Sequence, residues 1–148
     1  MAAKERRLAL TLRALKEQKI TVVIDETGDR KKGKKTDYVA RQYLGSVGKI
    51  DNGIVSVNAY GIYENVTFPL MFKVFKPRGR LKELDSYKTK IELASSIITE
   101  LIEFGFDIDL ASEFASRWLG DAQSIQPVRV SSQGSVESLA NGNLDLLF

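Results

Sequence analysis

Asp25 and Glu26 stand at the end of the apolar run Ile20-Thr-Val-Val-Ile24, and four residues beyond them a run begins, Arg30 to Lys35, in which five of six residues are basic. Carboxylates hold hard divalent cations, and clustered Lys and Arg hold phosphate oxygens. A buried strand, a carboxylate and a cationic loop in succession are therefore what a metal-dependent enzyme acting on phosphate esters would show. The chain has no histidine and no cysteine, which excludes imidazole bases, thiolate nucleophiles, disulfides and zinc sites built on either side chain. Any metal must sit on oxygen ligands, which favours magnesium, manganese or calcium.

Each candidate has a plainer competitor. Asp25 at the C-terminal end of a central strand occupies the place where open α/β sheets bind ligands. The alternative is that Asp25 and Thr27 begin a turn and cap its backbone amides. Gly28-Asp-Arg-Lys-Lys-Gly33-Lys34-Lys35 nearly spells a nucleotide-phosphate loop. It has Lys35 where Ser or Thr must hold magnesium, and Asp37 to Tyr43 lacks the pattern of the required helix. Asn65-Val66-Thr67 is a glycosylation sequon by spelling, without meaning in the absence of a secretory signal. Asp107 and Asp109 are further possible ligands, but they lie on one side of a strand and are better explained as solvated.

The elements that must position these groups follow from periodicity. Leu8, Leu12 and Leu15 among charged residues predict an amphipathic helix over 2–18. The β-branched run from Ile20 to Ile24 predicts a central strand covered on both faces, with a turn at Thr27-Gly28-Asp29 and an exposed basic loop after it. Tyr38 to Val47 reads as either a short strand or an irregular crossing. Two antiparallel strands are expected from Ile54 to Tyr60 and from Val66 to Phe75, separated by a turn region over 61–65. In the second, Phe68, Leu70, Phe72 and Val74 share one face and Pro69 marks an edge or a bulge. Thr89 and Glu92 have capping-box spacing; Ile91, Ala94, Ile97, Ile98 and Leu101 form the stripe of a helix that stops at Gly105, and a further strand begins at Phe106. The order is that of an α/β protein with a mixed sheet.

With 148 residues, 43% of them hydrophobic, the chain is sized for one core and a single domain. No stretch has the length and apolarity of a membrane span, and the first 19 residues are too charged for a signal peptide, so a cytoplasmic protein without a membrane partner is expected. The net charge of +3 conceals an asymmetry: residues 1–50 carry 13 Lys and Arg against 6 Asp and Glu, and residues 51–148 carry 9 against 13. A front end of net +7 is the footprint of a polyanion partner such as nucleic acid. Gly120 to Asn143, rich in Ser, Gln, Asn and Gly, is expected to be weakly ordered.

Read as a string, Val22-Val-Ile-Asp25-Glu-Thr-Gly-Asp-Arg-Lys-Lys-Gly-Lys-Lys-Thr-Asp-Tyr-Val39 followed by Ala40-Arg-Gln-Tyr-Leu-Gly-Ser-Val-Gly-Lys-Ile-Asp-Asn-Gly-Ile-Val-Ser-Val57 resembles the catalytic domain of DDE transposases from bacterial insertion sequences. Thr67-Phe-Pro-Leu70, Lys76-Pro77 and Tyr87-Lys-Thr-Lys90 extend the similarity, which covers roughly Leu8 to Leu110. The resemblance implies a ribonuclease-H-like fold, here partial, with one main helix after the first three strands. It also implies that an Asp, Asp, Glu set binds two magnesium or manganese ions, which activate water or a DNA 3′-hydroxyl against a phosphodiester. Asp25 would be the first carboxylate and metal ligand, and Arg30, Lys31, Lys32, Lys34, Lys35 and Arg41 would face DNA phosphates. Where the family places its second Asp, followed by Ser, a variable residue and an aromatic, this chain has Ala111-Ser112-Glu113-Phe114, and the Glu region has no counterpart. The expectation is an N-terminal helix over 1–18, a partial catalytic domain over 19–110 and a divergent tail over 111–148. That is a transposase truncated at both ends and inactive, or a noncatalytic DNA-binding remnant held by phosphate contacts.

Overall fold

A computed structural model describes residues 2–33 and 35–110, the side chain of Leu110 excepted. Helix α1 (Ala3–Leu15) leads to β1 (Ile20–Arg30), β2 (Ala40–Leu44), β3 (Lys49–Tyr63), β4 (Val66–Val74), a short 3-10 turn at Arg78–Arg80, α2 (Lys90–Phe104) and β5 (Ile108–Leu110). The five strands form one mixed sheet in the order β2-β3-β1-β5, with β4 also paired to β3. Among the described strands only β1 and β5 run parallel. The segment left open between strand and crossing is the strand β2, so α2 follows four strands rather than three.

β1 departs most from expectation. It runs straight through Thr27-Gly28-Asp29 in ten consecutive antiparallel pairs with β3, from Thr21↔Ile62 to Arg30↔Gly53. Turn composition yields here to long-range pairing, because each residue gains ladder hydrogen bonds that a turn would forgo. Ile20, Val22 and Ile24 are buried on the helix side, with Val55, Val57 and Ala59 of β3. Thr21 and Val23 on the other side are only partly covered, so among the described residues the stretch 20–24 is buried on one face rather than two. Gly28 and Gly53 let Leu44, itself fully buried, lie flat on the sheet: a Cβ at Gly28 would meet Leu44 Cδ2 at 2.9 Å, and one at Gly53 would meet Leu44 Cδ1 at 2.8 Å.

α2 begins and ends as its sequence requires. The Thr89 hydroxyl accepts from the Glu92 amide at 3.2 Å, Glu92 accepts from the Thr89 amide at 2.6 Å, and Gly105 closes the helix at φ 109°. Its buried stripe is Leu93, Ala94, Ile97, Ile98 and Leu101, whereas Ile91 is 48% exposed. α1 docks beside it through Leu8 and Leu15, with Leu12 packed against the same core. Each such aliphatic side chain contributes about 1.5–3 kcal/mol on burial.

β4 is irregular where Pro69 predicts it. The pairing shifts between Ala59 and Tyr60, so the simple alternation fails: Leu70 and Met71 are both buried and Phe72 is 66% exposed. Arg7 of α1 donates to the carbonyls of Pro69 (2.6 Å) and Leu70 at this bulge, satisfying backbone groups near the irregularity. Glu100 of α2 receives Lys4 and Lys73. Burial works to raise its carboxyl, and the hydrogen bonds from those two lysines bring it below the ordinary value.

Candidate functional site

Asp25 lies in the middle of β1, not at its end. Strand alternation puts it on the face opposite the helices, half-buried, with Asn58 of β3 directly across and the pair Thr27↔Ser56 next along. Asn58 is occupied within its own strand, its amide donating to the Ser56 carbonyl at 3.2 Å. The Asp25 carboxylate makes no hydrogen bond or ion pair with the described residues. Its neighbour Glu26 points the other way and binds Lys90, at the start of α2, at 2.8 Å, with the side chains only 16% and 27% exposed. Of two adjacent acids, one fastens a helix to the sheet and one is available. Ser56 and Asn58 escaped the sequence reading. Their signal is a pair of polar residues at alternate positions in an otherwise apolar strand.

The basic residues differ in what engages them. Asp25 is separated from Arg30 by extended chain, about 16–17 Å at the rise of a strand. That is roughly five base-pair steps of 3.4 Å. Arg30 binds Asp51 at 2.9 Å. The Asp51 carboxyl is held below the usual range, first by the Asn52 amide and then, against the effect of burial, by Arg30, Lys49 and Arg41. Lys31 pairs with Asp29. Lys32 and Lys35 are exposed and make no ion pair among the described residues; Lys34 lies outside them. Arg41, exposed on β2 opposite Asn52, shares the face of Asp25. Asn52 clamps the loop, its side-chain amide donating to the carbonyls of Lys31 (2.8 Å) and Gly33 (3.0 Å).

Asp109 does not join Asp25. It pairs with Thr21 in the ladder, four residues from Asp25 along β1, which is about 13 Å, and it binds Lys19 at 3.1 Å. Metal–oxygen bonds of roughly 2.0–2.6 Å cannot bridge that gap. The ladder between β1 and β5 is described as far as Val22↔Leu110, three residues before Asp25. Among the described residues no group of three or more acidic side chains could hold a metal ion. One carboxylate is not a two-metal site, so these residues by themselves do not fit the pair of ions that the resemblance implies. The Ala111 to Phe114 region and the tail lie outside the described residues. No described helix is long and apolar enough to cross a membrane.

Comparison with known proteins bears on this geometry. The family of DDE superfamily endonucleases matches residues 2–105, a stretch that takes in α1, β1 to β4 and all of α2. A probable transposase for insertion sequence element IS701 from Microchaete diplosiphon is 55% identical over 104 residues, which are 70% of this chain and 27% of that protein. The chain thus spans about a quarter of the length of the curated relative it matches. No solved structure matches significantly.

Proposed function

The chain belongs to the DDE superfamily endonuclease family, and from that premise we propose that it is part of the catalytic domain of an insertion-sequence transposase acting on DNA. In this reading Asp25 is the first carboxylate of a magnesium or manganese site, and every further ligand must come from outside the described residues. Lys32, Lys35 and Arg41 hold DNA phosphates, joined by Lys34 and, once released from their carboxylates, by Arg30 and Lys31. The single observation that carries this proposal is an Asp25 that no described residue engages, on a sheet face that also bears Arg41. The mixed five-stranded sheet agrees with a ribonuclease-H-like fold. Residues 19–110 make up the partial catalytic domain, with α1 packed on it, in a protein that works in the cytoplasm.

Chemistry by this chain alone is a separate matter. The acidic set is incomplete among the described residues, and on the family resemblance Ala111 would take the place of the second Asp. In this reading the described residues bind DNA through phosphates and do not by themselves cut it. Binding is tested by fluorescence anisotropy with two duplexes of unrelated sequence. Similar affinities that fall steeply with salt are expected; no binding at low salt would refute the proposal.

A further inference from the structure

The segment after β4, residues 75–89, carries Lys76, Arg78, Arg80, Lys82 and Lys88 against Glu83 and Asp85. It is some 40 residues from the first basic loop, yet the two meet at Tyr38. Tyr38 holds a φ of 62°, a left-handed conformation that a bulky residue adopts only where its surroundings enforce it. Its hydroxyl donates to Asp85 Oδ1 at 3.3 Å, and the ammonium groups of Lys76 and Lys82 lie 5.0 and 5.6 Å from its ring centroid. Lys82 also binds Asp37, Lys76 binds Asp85, and Arg80 donates to the Thr36 carbonyl at 3.4 Å. Thr36, Asp37 and Tyr38 are thus each gripped by a residue of the second loop.

The fastening continues inward. Arg78 lies 3.9 Å over the Tyr87 ring, Tyr87 packs edge-on against Phe75 at 6.3 Å, and Lys90 lies 5.5 Å from the Phe75 ring while binding Glu26 of β1. Lys76 and Lys82 are thereby neutralised as parts of the joint. Arg78 and Lys88, both exposed, have no ion pair among the described residues, and the same holds for Lys32 and Lys35 in the first loop. A guanidinium stacked on a ring keeps its N–H edge free to meet a phosphate. Two cationic loops fastened together, each with exposed cations that make no ion pair among the described residues, fit a partner whose negative charges repeat along a path, as duplex DNA presents them. Because the loops are fixed before the partner arrives, little ordering remains for binding to oppose.

The geometry points to residues 75–89 as the second half of the DNA surface, with Arg78 and Lys88 contacting phosphates of the same duplex as Lys32 and Lys35, and with Tyr38 as the positioning residue that keeps the two halves in register. This rests on the DNA-binding reading above.

The test uses the full chain and a labelled duplex of arbitrary sequence, with affinity measured across salt for wild type, R78Q/K88Q, K32Q/K35Q and Y38A. Loss of two phosphate contacts lowers the slope of log affinity against log salt by about 1.8, so the fall in affinity between about 50 and 200 mM salt shrinks by about twelvefold. R78Q/K88Q and K32Q/K35Q should each show this loss. In Y38A the further substitution R78Q/K88Q should change the slope by less than half as much, while Y38F, which keeps the ring, should behave nearly as wild type. A normal slope in R78Q/K88Q beside a reduced slope in K32Q/K35Q overturns the two-loop surface and leaves the DNA reading intact. Absence of any wild-type binding removes the DNA reading itself. An undiminished effect of R78Q/K88Q in Y38A overturns the role of Tyr38. Arg78 and Lys88 are exposed, so R78Q/K88Q decides the proposal even if Y38A does not fold.

Discussion

Replacing Lys32 and Lys35 of the first loop and Arg41 of β2 together by Gln removes exposed cations that make no ion pair among the described residues. Each cation on a phosphate contributes about 0.9 to the slope of log affinity against log salt, so three contacts contribute about 2.7. Between about 50 and 200 mM salt, wild-type affinity should then fall about fortyfold more than that of the triple variant. Arg30 provides the internal contrast. It is bound to Asp51 at 2.9 Å, so any phosphate it reaches must first be exchanged for a carboxylate, and R30Q should lower the slope by clearly less than one contact. The assay is fluorescence anisotropy of a labelled duplex in a chloride series, with a thermal melt of each variant to confirm an unchanged fold. A triple variant with the wild-type slope, or R30Q matching the triple, would refute the division into engaged and free cations.

Gly28→Ala places a methyl 2.9 Å from Leu44 Cδ2 and 3.2 Å from its Cα; about 1–3 kcal/mol of stability should be lost, and adding Leu44→Ala should cost less than the sum of the two, as read by chemical denaturation. Glu26→Gln leaves the half-buried Lys90 without its carboxylate and should cost about 1–2 kcal/mol, less than the roughly 3–5 of a fully buried pair. Asp25→Asn should stay within about 0.5 kcal/mol, and equal losses would contradict the opposite orientations of the two acids. The Asp85 carboxyl is held below its ordinary 3.8, first by the hydrogen bond from Lys76 and then by the Lys82 amide. Its stabilisation is complete above 3.8 and vanishes as pH falls through the lower folded value. The melting temperature of wild type should drop through that acid window, and Asp85→Asn should flatten the drop; parallel curves would count against the joint at Tyr38.

What the sequence reveals and what it hides divide along the range of the interactions. The α2 boundaries are legible because Thr89, Glu92 and Gly105 act on their own helix, and the Pro69 irregularity is legible because a missing N–H is local. The continuation of β1 through Thr27-Gly28-Asp29 is not, since its cause is pairing with β3 some thirty residues away. The orientation of Phe72 was hidden for the same reason, being set by a register shift opposite Tyr60. At the site, residue types disclosed Asp25 and the basic run. Their separation, the Asn52 clamp, the polar neighbours Ser56 and Asn58 and the grip on Tyr38 all arise from contacts that no short window of sequence contains.

The central proposal is that this chain carries the first carboxylate and a DNA-holding surface of a transposase catalytic domain, and that its described residues lack the acidic set that cutting requires. Its most direct test is incubation of purified full-length chain with supercoiled plasmid in magnesium and, separately, in manganese, beside Asp25→Asn. Binding with no nicking above the level of the variant is the expected result. Metal-dependent nicking that Asp25→Asn abolishes would contradict it.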